Sequence, residues 1–172
     1  MGFHSFLQKH RIPLESVMAK SWNKKIFKQI DEQVNKASKD LAEERGACPD
    51  AAEYGFKERF SNKTAIAPTA SISIICGGAS PGVEPIAANS YTHKTLSGSF
   101  NVRNRYLEEI LESHGKNDDE TWSTITTNQG SVSHLDFLTD LEKDVFKTAF
   151  ELNQKWIIAV SYTHLTLPTI GC

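Results

Sequence analysis

Between Ile26 and Leu41 the apolar residues Ile26, Ile30, Val34, Ala37 and Leu41 recur at steps of four, four, three and four. That period puts them on one face of a single long amphipathic helix beginning at about Ser21, with Pro13 upstream as a residue able to open a helix. Gly46 follows Arg45 and fits the position just past the helix end, where a left-handed backbone is needed and a cation suits the carbonyl end of the dipole. Lys20, Lys24, Lys25 and Lys28 read as the solvated face of the same helix.

The 172 residues match the length of one ordinary domain, and 19 Lys plus Arg against 21 Asp plus Glu leave no basic field to hold nucleic acid. No apolar run approaches the roughly 20 residues of a membrane span, and residues 1–10 lack the basic start and cleavage site of a signal peptide. The chain therefore reads as cytoplasmic, without a membrane partner. Cys48, Cys76 and Cys172 lie far apart with no CxxC pair, so they read as plain thiols, with no metal site. His4, His93 and His114 have no carboxylate or cysteine partner at metal-ligand spacing, so core or surface roles are expected.

Further along, Lys63 to Ala67 reads as a short strand running into Pro68, and Ala70 to Cys76 reads best as a helix of about two turns closed by Gly77 and Gly78, although its isoleucines would equally suit a strand. Tyr91 to Leu96 is strand-like. Arg105 to Ser113 and Asp119 to Asn128 are read as helices. Thr139 followed by Glu142 has capping-box form. The helix behind it is expected to carry Leu141, Val145, Phe146, Ala149, Phe150, Leu152, Trp156 and Ile157 toward a substantial partner surface.

A strand ending in a loop with a helix directly behind it aims unpaired backbone N–H groups and the positive dipole end at one point. Such a point binds anions. Thr69, Ser71 and Ser73 add hydroxyls, Ala70 keeps the backbone approachable, and Ile72 lies within the same turn. An ordinary N-cap with Ser and Thr around it is the competing reading. Glu84, fixed between Val83 and Pro85, either faces the same pocket or serves as a buried or capping carboxylate. The glycine spacing from Gly77 to Gly82 resembles a Walker A loop, but Val83 and Glu84 stand where Lys and Ser or Thr are required. Ser133, His134 and Asp136 have triad residue types, yet sequence neighbours rarely point at one another as a triad must.

Several blocks together resemble the large, catalytic subunit of ribonucleotide reductase, in the later part of its barrel domain. They are residues 1–7 (MGFHSFL), Ser38 with 40–46 (DLAEERG), 66–71 (IAPTAS), 82–85 (GVEP), 91–100 (YTHKTLSGSF) and 128–132 (NQGSV), continuing into the last helix. The resemblance covers residues 1–158. It implies an α/β fold, a fragment of a ten-stranded α/β barrel, helix-rich with few strands. It also implies that Thr69, Ala70, Ser71, Ile72 and Ser73 hold the phosphates of a ribonucleoside diphosphate. Ala70-Ser71 favours the aerobic, diphosphate-reducing class over the cobalamin-dependent one, which usually carries Pro-Thr-Gly-Thr.

The family's implied partners are a small radical-generating, metal-containing subunit, nucleotide effectors and a second large subunit. Its thiyl-radical cysteine and reducing cysteine pair have no match in Cys48, Cys76 or Cys172, so the catalytic residues are expected outside this sequence and no cofactor within it. Met1 stands where the family has an internal methionine, which suggests a truncation. Residues 159–172 depart from the family and resemble the translation of a sequencing-library adapter, in which CTGTCTCTTATACACATCT reads Val-Ser-Tyr-Thr-His-Leu in one frame. The alternative function is a non-catalytic helical module that docks a phosphate or phosphoprotein.

Overall fold

The computed structural model describes residues 1–96 and 98–165. Its elements run α1 (Phe3–Lys9), α2 (Val17–Arg45), α3 (Pro49–Glu53), α4 (Ala70–Ile75), β1 (Ser90–Thr95), β2 (Gly98–Arg103), α5 (Arg105–Ser113), α6 (Asp119–Thr127), α7 (Asp140–Val145) and α8 (Gln154–Leu165). The chain is helix-rich with few strands. Among the described residues, β1 and β2 form an antiparallel hairpin with Ser90 opposite Arg103 and Thr95 opposite Gly98. No described helix is long and apolar enough to cross a membrane. Cys172 and the last part of the adapter-like tail, 166–172, lie outside the described residues.

The described residues form two compact units, residues 1–19 with 68–158, and residues 20–67 with 159–165. The first holds the main apolar cluster: Leu107, Ile110 and Leu111 of α5, Trp122 and Ile125 of α6, then Val132, Leu135, Leu138, Val145 and Phe146. Fully burying an aliphatic or phenylalanine side chain of this kind stabilises by about 1.5 to 3 kcal/mol relative to exposure, so these ten define the fold of this unit. Each helix entering the cluster has its start fixed by a side chain. Asn104 accepts from the Tyr106 N–H ahead of α5, Asp118 accepts from the Thr121 N–H ahead of α6, and Thr139 with Glu142 forms a full capping box on α7.

The single helix expected from residue 141 to 157 is broken. α7 stops at Val145, and α8 starts only at Gln154. Between them Glu151 Oε2 accepts from both the N–H and the hydroxyl of Thr148, while the Ala149 N–H donates to Ile86 O at 3.0 Å. The Asn153 N–H donates to Glu15 Oε1 at 2.7 Å. These tertiary and local acceptors take N–H groups that a continuous helix would have bonded internally. The apolar face divides accordingly: Val145, Phe146 and Leu152 are buried, whereas Leu141, Phe150 and Ile158 are exposed.

In the second unit α2 runs to Arg45, followed by Gly46 at φ +83°. Its stripe is only partly covered, with Ile26, Val34 and Leu41 half-buried and Ile30 and Ala37 exposed. The helix opens at Val17, four residues before the expected Ser21, with Ser16 Oγ accepting from the Ala19 N–H at 3.1 Å. Ser38, nearly fully buried, accepts on Oγ from the N–H groups of Arg59 and Phe60 at 3.1 and 3.3 Å. Lys63 binds Glu58 at 3.3 Å and also donates to Asn35. The strand expected over Lys63 to Ala67 is absent. That segment is irregular and mostly exposed, with no paired strand among the described residues to satisfy its backbone.

Candidate functional site

The candidate loop takes its shape from three segments far apart in sequence. Ser5 and Ser80 exchange reciprocal bonds, Ser80 N–H to Ser5 Oγ at 2.8 Å and Ser5 N–H to Ser80 Oγ at 3.3 Å, and the Gly2 N–H donates to Ser80 O at 2.8 Å. The buried ring of His4 accepts on Nδ1 from the Ile86 N–H at 2.9 Å. Burial lowers the His4 pKa to about 4, because an imidazolium there would lose its hydration. α1 therefore pins residues 80–86 from one side. Thr69 pins them from the other, with its Oγ1 accepting from the Gly82 N–H at 2.8 Å.

Thr69 itself adopts a left-handed backbone, φ 51° and ψ 27°, and its side chain makes no capping bond to α4. With the Thr69 oxygen turned to Gly82, its hydroxyl proton is left to donate elsewhere. The first intramolecular N–H bond of α4 is from Ser73 to Thr69 O at 2.9 Å. The N–H groups of Ala70, Ser71 and Ile72 thus have no acceptor among the described residues, and all three residues are exposed. Ser73 differs: it is buried, and its Oγ donates to Ala70 O at 2.6 Å. The structure brings Thr69, Ala70, Ser71 and Ile72 together as an open donor set and turns Ser73 inward. Glu84 is exposed on the adjoining turn, where its N–H donates to Pro81 O at 2.9 Å.

Ala70, Ser73 and Ile74 also line one wall of a cleft of about 520 Å³, whose other wall includes Tyr91, Arg103 and Arg105. Glu84 is not among its lining residues. A buried amide chain supports that far wall. The Asn89 side chain donates to the carbonyls of Gly130 and Phe146 at 3.0 and 2.7 Å and accepts from Asn104 at 2.8 Å. Asn104 also donates to Gln8 at 3.0 Å. Sequence reading missed this chain, because its members are scattered and no local spacing links them.

His93 lines the cleft, and His114 Nε2 lies 3.1 Å from Glu142 Oε1. His134 contacts the Thr124 hydroxyl at 3.1 Å. Cys48 and Cys76 are free thiols. Among the described residues no three His, Cys, Asp or Glu side chains cluster as a metal site.

Against known proteins, the model of the "Ribonucleotide reductase, barrel domain" family matches residues 1–59 and 50–164. The chain belongs to the ribonucleotide reductase barrel-domain family. It is 47% identical over 162 residues to the ribonucleoside-diphosphate reductase large subunit of Invertebrate iridescent virus 6, a match covering 92% of this chain and 17% of that protein. The large subunit of Invertebrate iridescent virus 3 is 43% identical, covering 94% and 26%. Among solved structures, the class Id ribonucleotide reductase alpha subunit of Actinobacillus ureae superposes with a TM-score of 0.85 at 38% identity, covering 95% of this chain and 29% of that one. The fold is thus part of the reductase α/β barrel, and the chain spans less than a third of each of these relatives.

Proposed function

We propose that this chain is the substrate-phosphate portion of a ribonucleoside-diphosphate reductase large subunit, with Thr69, Ala70, Ser71, Ile72 and Ser73 forming the phosphate loop. The observation that carries this reading is the run of three exposed N–H groups at Ala70, Ser71 and Ile72, without acceptors among the described residues. The Ser71 hydroxyl and the Thr69 proton add donors beside them, and Ser73 holds the turn through Ala70. A helix dipole alone contributes only about 0.3 to 2 kcal/mol, so the amides, hydroxyls and other parts of the ligand must act together.

On this reading the parent enzyme reduces ribonucleotides to deoxyribonucleotides for DNA synthesis in the cytoplasm. Its substrate is a ribonucleoside diphosphate, and its partners are a radical-generating metal-containing small subunit, nucleotide effectors and a second large subunit. Glu84 would act from the rim of the turn and not from the cleft. Residues 159–172 are read as an adapter-derived tail.

The test is a titration of the chain with ADP, followed by amide NMR. Saturable shifts are expected at Ala70, Ser71 and Ile72, with Ser71→Ala weakening binding several-fold. Binding that leaves those three amides unmoved would defeat the assignment. A phosphoserine peptide binding as tightly as ADP would favour the docking-module alternative.

A further inference from the structure

Residues 80–86 meet the candidate loop in the middle and α1 at both ends. In the middle, the Gly82 N–H donates to Thr69 Oγ1 at 2.8 Å. Two residues earlier, Ser80 is held to α1 and its cap by three bonds. Its N–H donates to Ser5 Oγ at 2.8 Å, its Oγ accepts from the Ser5 N–H at 3.3 Å, and its carbonyl accepts from the Gly2 N–H at 2.8 Å. Four residues later, the Ile86 N–H donates to His4 Nδ1 at 2.9 Å. His4, Ser5 and Ser80 are all buried, which shields these anchors from competing water. A turn closed by the Glu84 N–H on Pro81 O, at 2.9 Å, tightens the span between them. Gly82 therefore takes its position from α1.

Thr69 depends on that position, because its backbone is one that a threonine does not hold unaided. At φ 51° and ψ 27° it lies in the left-handed region, and its side chain gives α4 no capping bond. A β-branched residue there is an outlier that persists only where its surroundings over-determine it. Two bonds do so here: Thr69 Oγ1 accepts from the Gly82 N–H, and Thr69 O accepts from the Ser73 N–H at 2.9 Å. The first fixes the side-chain rotamer and the direction left to the hydroxyl proton. The second starts α4, and with it the shared orientation of the Ala70, Ser71 and Ile72 N–H groups. Without Gly82, Thr69 loses one of the two bonds that oppose its relaxation to negative φ, and the three amides lose their common direction.

We infer that Ser5 and His4 are positioning residues for the ligand of the candidate loop: through Ser80 and Ile86 they hold the Gly82 N–H on Thr69, and so keep the loop's donors arranged before the ligand arrives. This role rests on the reading of residues 69–73 as a phosphate loop. Neither Ser5 nor His4 has to touch the phosphate. Preorganisation of this kind acts on affinity, because a loop that is competent only part of the time binds more weakly in proportion to that fraction.

The test is a double-mutant cycle on the full chain, with ADP affinity read from the amides of Ala70, Ser71 and Ile72. Ser5→Ala removes the acceptor of the Ser80 N–H and is expected to weaken ADP about tenfold, with the same three amides shifting at saturation. Thr69→Val keeps the branched shape but removes the acceptor of the Gly82 N–H, and should also weaken ADP. Adding Ser5→Ala to Thr69→Val should then cost less than about twofold more, since α1 no longer has a hydroxyl to act on. His4→Phe keeps a ring without an acceptor and should weaken ADP about tenfold, while His4→Gln restores an acceptor and should recover part of the loss. That pair reads the same coupling from the other anchor should Ser5→Ala not fold. Val145→Ala hollows the core of the same unit away from these bonds and should leave the ADP affinity of the folded chain unchanged. Unchanged affinity in both Ser5→Ala and His4→Phe, full additivity of Ser5→Ala with Thr69→Val, or an equal loss in Val145→Ala would each overturn the positioning role and leave the phosphate loop standing. ADP binding that leaves the three amides of the unsubstituted chain unmoved would instead defeat the phosphate-loop reading, and the positioning role would fall with it.

Discussion

His4 Nδ1 accepts the Ile86 N–H at 2.9 Å inside a site that excludes solvent from the ring. The bond requires a bare Nδ1, so only one neutral tautomer fits. Folded His4 has a pKa of about 4 against 6.5 for an ordinary histidine, so below 6.5 the unfolded chain takes up a proton that the folded chain refuses. Stability from this residue is therefore complete above pH 6.5 and is lost as pH falls from there toward 4, by about 3 kcal/mol in all. Urea unfolding at pH 7 and pH 5 should show the loss. His4→Gln, which keeps an acceptor and cannot titrate, should flatten it in that window.

Asn89 satisfies two buried carbonyls at once, Gly130 O and Phe146 O. Asn89→Ala removes the side-chain donor from Phe146 O, while Gly130 O keeps the residue 89 N–H at 3.1 Å, and should cost about 1 to 3 kcal/mol. Asn89→Asp should be worse, since a carboxylate would face two carbonyl oxygens. A fall in the urea midpoint at constant slope is the expected record, and unchanged midpoints would refute the role.

At Gly130 a Cβ would meet Ala88 Cβ at 2.4 Å and Ala88 Cα at 2.6 Å, on a backbone with φ +80°. Gly115 has φ +63° but open space around the same position. Gly115→Ala should therefore cost only the left-handed backbone penalty, about 1 to 2 kcal/mol, whereas Gly130→Ala adds overpacking of about 1 to 3 kcal/mol. Melting temperatures of the two variants should separate clearly, with Gly130→Ala the lower.

The Glu142 carboxyl is held below its ordinary range. Burial alone would raise it, but hydrogen bonds from the Thr139 N–H and hydroxyl, and then from His114, outweigh that cost. Its contribution is present above the usual carboxylate pKa and disappears as pH drops through the lowered value. Thr139→Ala should remove about 1 kcal/mol of stability and move the Glu142 titration, followed by NMR, back toward the ordinary range. No change in that titration would show that Thr139 does not set it.

Local chemistry made much of the helical architecture legible. Thr139 with Glu142 marked the start of α7, Gly46 the end of α2, and Gly77 with Gly78 the end of α4. The strand-like stretch from Tyr91 to Leu96 located β1 to within a residue. What stayed hidden depends on partners distant in sequence. The break between α7 and α8 is made in part by Ile86 and Glu15, which no window around Phe150 contains. Lys63 to Ala67 has strand chemistry, but pairing is a property of two segments. At the candidate loop the turn could be read from Pro68 to Ser73, whereas the burial of Ser73 and the bond from the Gly82 N–H to Thr69 Oγ1 emerge only in the folded chain.

The first fifteen residues find their partners late in the chain: Ser5 at Ser80, His4 at Ile86, Gln8 at Asn104, and Glu15 at Lys147 and Asn153. The longest of these separations is 138 residues. At a synthesis rate of about 5 to 20 residues per second, Glu15 waits about 7 to 28 s for the Asn153 amide to be made. Residues 1–15 are thus made well before the residues that lock them in place, and α1 must stay clear of other partners on the ribosome until residues 80–153 have followed it out.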